Sequence, residues 1–161
     1  MQFQTDIFAQ FNDKWALLSA GSMEDHNSMT ISWGGMGTLW GKSVVTVYVK
    51  PCRHTFNYME KNGCFTVSFY PEAYRKALGV MGSRSGRDTD KDNASGLTPK
   101  DLGEAVTYKE AEVTLLCRRI FKQDLDTENM PEEAVRTFYA TEAPHRMYIG
   151  EVIDIINGSL P

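Results

Sequence analysis

The sequence predicts a mainly β fold, an antiparallel barrel with a few short helices set into its connections. Three observations carry that expectation. Runs rich in β-branched and aromatic residues recur along the chain and outnumber the helical stretches. They do not alternate with helices in the regular rhythm of a parallel, doubly wound sheet. No internal repeat or low-complexity linker divides the chain, so residues 1–161 are expected to form one domain. A chain of that length can bury a core without disulfide or metal staples.

The elements follow in order. Residues 14–20 read as a first strand, ended by Gly21-Ser22, and a polar turn through Glu24-Asp25-His26-Asn27 leads to a second at 29–33. Gly34-Gly35-Met36-Gly37 is no dinucleotide fingerprint: the sixth position of GxGxxG counted from Gly35 is Trp40, and no long helical pattern follows. It reads as a bulge or tight turn, where backbone bends or approaches something closely. Residues 43–49 form the clearest strand, and 65–70 another. Between them, 55–62 begins at a capping-type residue, Thr55, and stops before Gly63, which marks a helix. Residues 71–80 open with Pro71 at a first-turn position and continue as a second helix. The stretch 82–103 is a long, polar, Gly-rich loop, of a length that marks a functional or disordered segment. Residues 108–121 read as one long strand with Ala111, Val113, Leu115 and Cys117 on one face. A helix at 131–139 carries Glu132 and Glu133 near its positive end, and 148–156 closes the chain as a strand.

Composition narrows the function. A net charge of -4 argues against a nucleic-acid partner. The longest apolar stretches, such as 44–49, are too short to span a bilayer, so no membrane partner is expected. Met1 to Asp6 has no basic start and no apolar core after it, so no signal peptide is expected and a cytoplasmic location is. Cys52, Cys64 and Cys117 are an odd number without CxxC spacing, and His26, His54 and His145 are scattered, so no metal is implied.

Two segments carry candidate chemistry. In Lys50-Pro51-Cys52-Arg53-His54-Thr55 a strand ends, Pro51 enforces a turn and a helix begins. Helix starts expose unpaired N–H groups and attract phosphate, and the Arg53 fork and Thr55 hydroxyl add to that. The plain alternative is that Thr55 caps the helix and Arg53 is solvated. The polar loop Ser83-Arg84-Ser85-Gly86-Arg87-Asp88-Thr89-Asp90-Lys91 offers cations, hydroxyls and a glycine for close approach, or is simply solvated. Trp33 suits stacking on a planar ligand or packing in a core or interface.

Together, Asn27 to Trp33, Val47 to Thr55 with its Pro-x-Arg-x-Thr turn, Gly63 to Phe69, and Ser85 to Lys91 with its Ser-Gly-x-Asp-x-Asp-Lys loop resemble the flavin reductase-like family, and within it the flavoredoxin-type branch. The resemblance implies an FMN-binding split β-barrel of Greek-key type and a homodimer with the flavin near the subunit interface. It implies that Asn27, Met29, Thr30, Ser32 and Trp33 lie along the flavin and its ribityl chain. By the same likeness Lys50, Pro51, Arg53 and Thr55 form the phosphate turn, and Ser83, Arg84, Ser85, Asp88 and Lys91 come from the polar loop. His145, before the Ile149-Gly150-Glu151-Val152 run, corresponds to a histidine near the flavin or nicotinamide. The implied activity passes hydride or electrons from NADH, NADPH or a redox protein through FMN to an acceptor. The alternative is a module that stores or senses FMN without turnover. Since flavin does the redox chemistry itself, no catalytic acid, base or nucleophile of the protein is required.

Overall fold

The computed structural model describes residues 3–158. After a short helix α1 (Ile7–Asn12), capped by the Asp6 carboxylate, strands β1 (Ala16–Gly21) and β2 (His26–Ile31) form a hairpin. The chain then crosses to the far end of the sheet for a second hairpin, β3 (Gly34–Leu39) with β4 (Lys42–Val49). Helix α2 (His54–Lys61) returns it to β5 (Cys64–Phe69), which pairs with β1. A 3-10 turn (Glu72–Tyr74), α3 (Arg75–Ser83) and α4 (Lys91–Ser95) precede a small separate hairpin, β6 (Pro99–Asp101) with β7 (Val106–Tyr108). Strand β8 (Val113–Asp124), a 3-10 turn (Thr127–Asn129), α5 (Glu132–Phe138) and β9 (Arg146–Asn157) complete the order. The main sheet runs β2-β1-β5-β8-β9-β4-β3, antiparallel throughout, with the non-sequential neighbours of a Greek-key connection.

The long β8–β9 pair slips register twice, leaving Ile153 on one strand and Ile120 on the other without a partner. Such bulges raise local twist and let the sheet coil on itself. Its concave side buries Leu18, Ala20, Val45, Val47, Val49, Phe65, Val67, Leu115, Cys117 and Tyr148. Gly150 is required there, because a Cβ would stand 2.5 Å from Phe65 Cζ and 2.8 Å from Cys117 Cβ. On the outer side, Leu17, Leu78, Met81, Leu97 and Tyr108 pack α3 and the segment after it against β1. Strand β1 is therefore buried on both faces, all six residues of it, which explains its unbroken run of apolar and small side chains.

Several local expectations need correction. Gly34 to Gly37 is a regular edge strand, not a bulge or turn; only Gly34 makes a close approach, where a Cβ would meet Phe11 Cε1 at 2.7 Å. Residues 108–121 are not one strand: β7 ends at Tyr108, a turn closes with Ala111 N–H donating to Tyr108 O (3.1 Å), and β8 starts at Val113. The 82–103 stretch holds α4 and β6. Asp90 caps α4, its carboxylate accepting from Asn93 N–H (3.2 Å), and Gly96 ends it at φ 77°. Helix α2 begins one residue earlier than Thr55, with Arg53 at the capping position.

Helix α2 is anchored at its far end. The Arg119 guanidinium donates to Met59 O and to Glu60 O (3.4 Å), a cation set against the negative end of the helix. The Glu60 carboxylate accepts from Lys122 Nζ (2.6 Å), Tyr148 OH (2.7 Å) and Arg146 Nη1 (2.9 Å). Burial alone would raise its pKa, but these three bonds outweigh burial and bring it down to about 2.

Candidate functional site

The open end of α2 faces a cavity of about 170 Å³. Pro51 holds a turn in which Arg53 N–H donates to Lys50 O (3.0 Å), and the helix starts directly behind it. No side chain caps that start among the described residues, so the first-turn N–H groups of α2 lack a side-chain partner. Thr55 is not the cap. Its hydroxyl, in a side chain 1% exposed, accepts instead from Asn27 Nδ2 on β2 (2.7 Å).

Four cations line this space: Arg53, Arg84, Arg87 and Lys91. Arg53 Nη2 donates to Gly82 O (3.1 Å) and Arg87 Nη1 to Cys52 O (2.9 Å), tying the turn to the loop after α3. Lys91 is buried and its Nζ donates to Ser28 O. Burial, with the Arg53 cation adding to it, pulls Lys91 down to about 8. Among the described residues none of the four is in an ion pair, and no carboxylate lines the cavity. His54, which also lines it, has a buried Nδ1 with no partner, and burial followed by the Arg87 charge lowers its pKa. Behind this wall, His26 Nε2 bonds Asp92 Oδ2 (2.9 Å) and Tyr108 OH donates to Asp92 Oδ1 (2.7 Å), fixing α4 and hence Lys91.

Eight of the residues singled out from sequence thus meet in one place: Asn27, Met29, Arg53, Thr55, Ser83, Arg84, Ser85 and Lys91. Cys52, His54, Gly82, Gly86 and Arg87 complete the lining; all but Gly82 lie inside the two segments the sequence had marked. The others go elsewhere. Thr30 lies beneath Gly82 and donates to Leu78 O (2.5 Å). Asp88 is exposed and outside the cavity, and Pro51 only shapes the turn. Ser32 and Trp33 border a separate space of about 640 Å³ beside α1.

Trp33, Lys50 and His145 belong to a second group, an aromatic shelf. Trp33 is 44% exposed and stands edge-on to Phe138 (5.1 Å) and tilted to His145 (5.3 Å). Lys50 turns from the cavity to donate to Phe138 O (3.0 Å) and to the Glu142 carboxylate. His145 Nδ1 bonds Tyr139 OH (2.8 Å); burial, then the Lys50 charge, lowers its pKa to about 4, so the ring is neutral at pH 7. Phe138, Tyr139 and Glu142 were not anticipated, because nothing local shows that the end of α5 and the segment after it fold against Trp33 and Lys50. Cys52 Sγ, 3.9 Å from Glu142 Oε1, joins the shelf to the cavity.

The site is a basic, carboxylate-free cradle at a helix start without a side-chain cap, carried on a coiled antiparallel sheet, and its chemistry suits an anion. The chain matches the family model described as the flavin reductase like domain over residues 8–160, and it belongs to that family. Among solved structures it is similar to the flavoredoxin of Methanosarcina acetivorans, at 20% identity and TM-score 0.71 over 91% of this chain and 69% of that one. The flavoredoxin of Desulfovibrio vulgaris (Miyazaki F) gives 20% identity and TM-score 0.69 over 90% and 69%. The styrene monooxygenase flavin reductase of Pseudomonas putida S12 gives 19% and 0.67 over 92% and 81%. At such identities the likeness is one of fold, the split barrel. No curated protein sequence matches the chain. Among the described residues no helix is long and apolar enough to cross a membrane, and no cluster of His, Cys, Asp and Glu suits a metal.

Proposed function

We propose that this protein binds FMN non-covalently and works as an NAD(P)H- or partner-fed flavin oxidoreductase. The observation that carries the reading is the cradle of four cations, none in an ion pair among the described residues, around the start of α2, which no side chain caps there. A phosphate monoester suits the N–H groups that no side chain caps at the helix start, the Arg53 fork and the Thr55 hydroxyl at once. The cavity, about 170 Å³, is smaller than the roughly 300–1,000 Å³ of whole-ligand sites, so it suits the phosphate end and leaves the ring for a neighbouring surface. The shelf of Trp33, Phe138, Tyr139 and neutral His145, joined to the cavity through Cys52 and Glu142, is that surface. Bound FMN supplies the hydride and electron chemistry; the protein's share is to hold and orient it.

The same reading includes a homodimer. Phe8 (86%), Trp40 (65%), Trp33 and Phe138 are large apolar side chains left in water, and a second copy covers such patches most simply. Three unpaired cysteines suit a reducing compartment, the cytoplasm.

The test is titration of purified protein with FMN and with riboflavin, which lacks the phosphate, for wild type and Arg53→Ala. Wild type should prefer FMN, and Arg53→Ala should lower FMN affinity about tenfold or more while sparing riboflavin, since a charge-assisted bond contributes about 1.5–3 kcal/mol. Equal affinities for the two ligands in wild type would refute the phosphate site. Anaerobic addition of NADH or NADPH should then bleach the bound flavin; failure with both, against rapid reduction by dithionite, would leave a partner-fed carrier or a storage module. Sedimentation at micromolar concentration should show twice 18.2 kDa.

A further inference from the structure

We propose that Asn27 is a positioning residue: its amide turns the Thr55 hydroxyl so that the proton is offered to the anion in the cavity. The inference rests on the FMN reading and adds to it a residue that acts without itself holding the phosphate.

A threonine hydroxyl has one proton to give and lone pairs to receive with. Thr55 lines the cavity one residue into α2, at a helix start that no side chain caps among the described residues. Left to itself the rotor would be free. Here Asn27 Nδ2 donates to Thr55 Oγ1 at 2.7 Å, between side chains 6% and 1% exposed, so the oxygen's acceptor side is taken and its proton is left for the cavity. The amide is itself held on two sides. The Asn27 backbone is fixed by pairing opposite Ala20 in the β1–β2 hairpin. Against its carbonyl end lies Gly86, where a Cβ would fall 2.0 Å from Asn27 Oδ1, so the loop closes on the amide only because residue 86 has no side chain. A hydroxyl already pointed at the phosphate oxygen spares the ligand the cost of ordering it.

The experiment measures the FMN-over-riboflavin preference in a double-mutant cycle. Asn27→Asp keeps the shape but replaces the donor by an acceptor, so Thr55 would give its proton to the new carboxylate; the preference should fall about tenfold or more. In a Thr55→Val background the same change should cost much less, since no hydroxyl remains to be misdirected and only the added charge is felt. Thr55→Ser, which keeps the hydroxyl, should keep the preference. Asn27→Ala, which frees the rotor and adds no charge, should lower it about threefold and serves if the aspartate variant does not fold. An equal loss from Asn27→Asp in both backgrounds would overturn the positioning role. So would an unchanged preference in Asn27→Asp and Asn27→Ala while Arg53→Ala abolishes it, and in that case the FMN reading would stand. Equal binding of the two flavins by wild type would overturn both.

Discussion

Replacing Lys91 by methionine should make the protein more stable and a poorer phosphate binder at once. Lys91 is 6% exposed and, among the described residues, its ammonium has no carboxylate partner within ion-pair distance and donates to Ser28 O. Burial and the Arg53 charge bring its pKa from 10.5 to about 8. At about 1.4 kcal/mol per pH unit, keeping it charged in the folded protein at pH 7 costs about 3 kcal/mol. Methionine removes that cost and refills most of the volume, but strands the Ser28 carbonyl at about 1 kcal/mol. The net gain is about 2 kcal/mol, or roughly 4–8 °C in Tm for a domain of this size. The pH dependence has a definite sign. Between about 8 and 10.5 the unfolded lysine holds a proton that the folded one has released, so wild-type stability rises with pH there. The margin between variant and wild type should therefore shrink from pH 7 to pH 9.5. Thermal melts at the two pH values, with and without FMN, give all the quantities needed; FMN should raise the wild-type Tm more than the variant's. A variant that melts below wild type at pH 7, or a margin that does not shrink with pH, would refute the unpaired buried cation.

Two further outcomes follow from the geometry. The Asp92 hydrogen bond raises the His26 pKa above 6.5, so its contribution to stability is complete below that value and is lost as pH rises through the folded one; in urea denaturation His26→Gln should flatten the fall in midpoint above pH 6.5. Gly34→Ala places a Cβ 2.7 Å from the Phe11 ring and 3.0 Å from Thr46 O and should cost roughly 1–3 kcal/mol, whereas Gly37→Ala, with nothing within 4 Å, should stay within about 0.5 kcal/mol.

The strands were legible where their residues carried the pattern themselves. The runs behind β4, β5 and β9 announce themselves through β-branched and aromatic side chains, and that behind β1 through its unbroken apolar and small residues, all within one or two residues of their observed ends. Strand β3 does not, because Gly34, Gly35 and Gly37 have no local preference for it; its conformation comes from pairing with β4. The end of β7 is equally silent, since apolar alternation continues through a turn that only the fold imposes. At the site, the Arg53 turn and the polar loop were found because each carries its own chemistry in sequence. What could not be read was which side chains leave. Lys50 is taken by Glu142, 92 positions away, and Trp33, just past the end of β2, stands against Phe138 from a distant part of the chain. The role of Thr55 changed for a similar reason: its partner, Asn27, is 28 residues distant.

The anchoring of α2 by Arg119 and Glu60 bears on how fast a ligand comes and goes. To swing the helix aside would break bonds to two strands, among them the three converging on Glu60. The facing loop is held to the turn by two bonds among the described residues, Arg53 to Gly82 O at its start and Arg87 to Cys52 O further along, while Ser85 bonds only its own neighbours. On the proposed phosphate reading, release of an anion from the cradle should run through the loop rather than through movement of the helix. Residence time and equilibrium affinity are then set by different residues, and loosening the loop would shorten one while leaving the helix's share of the other in place.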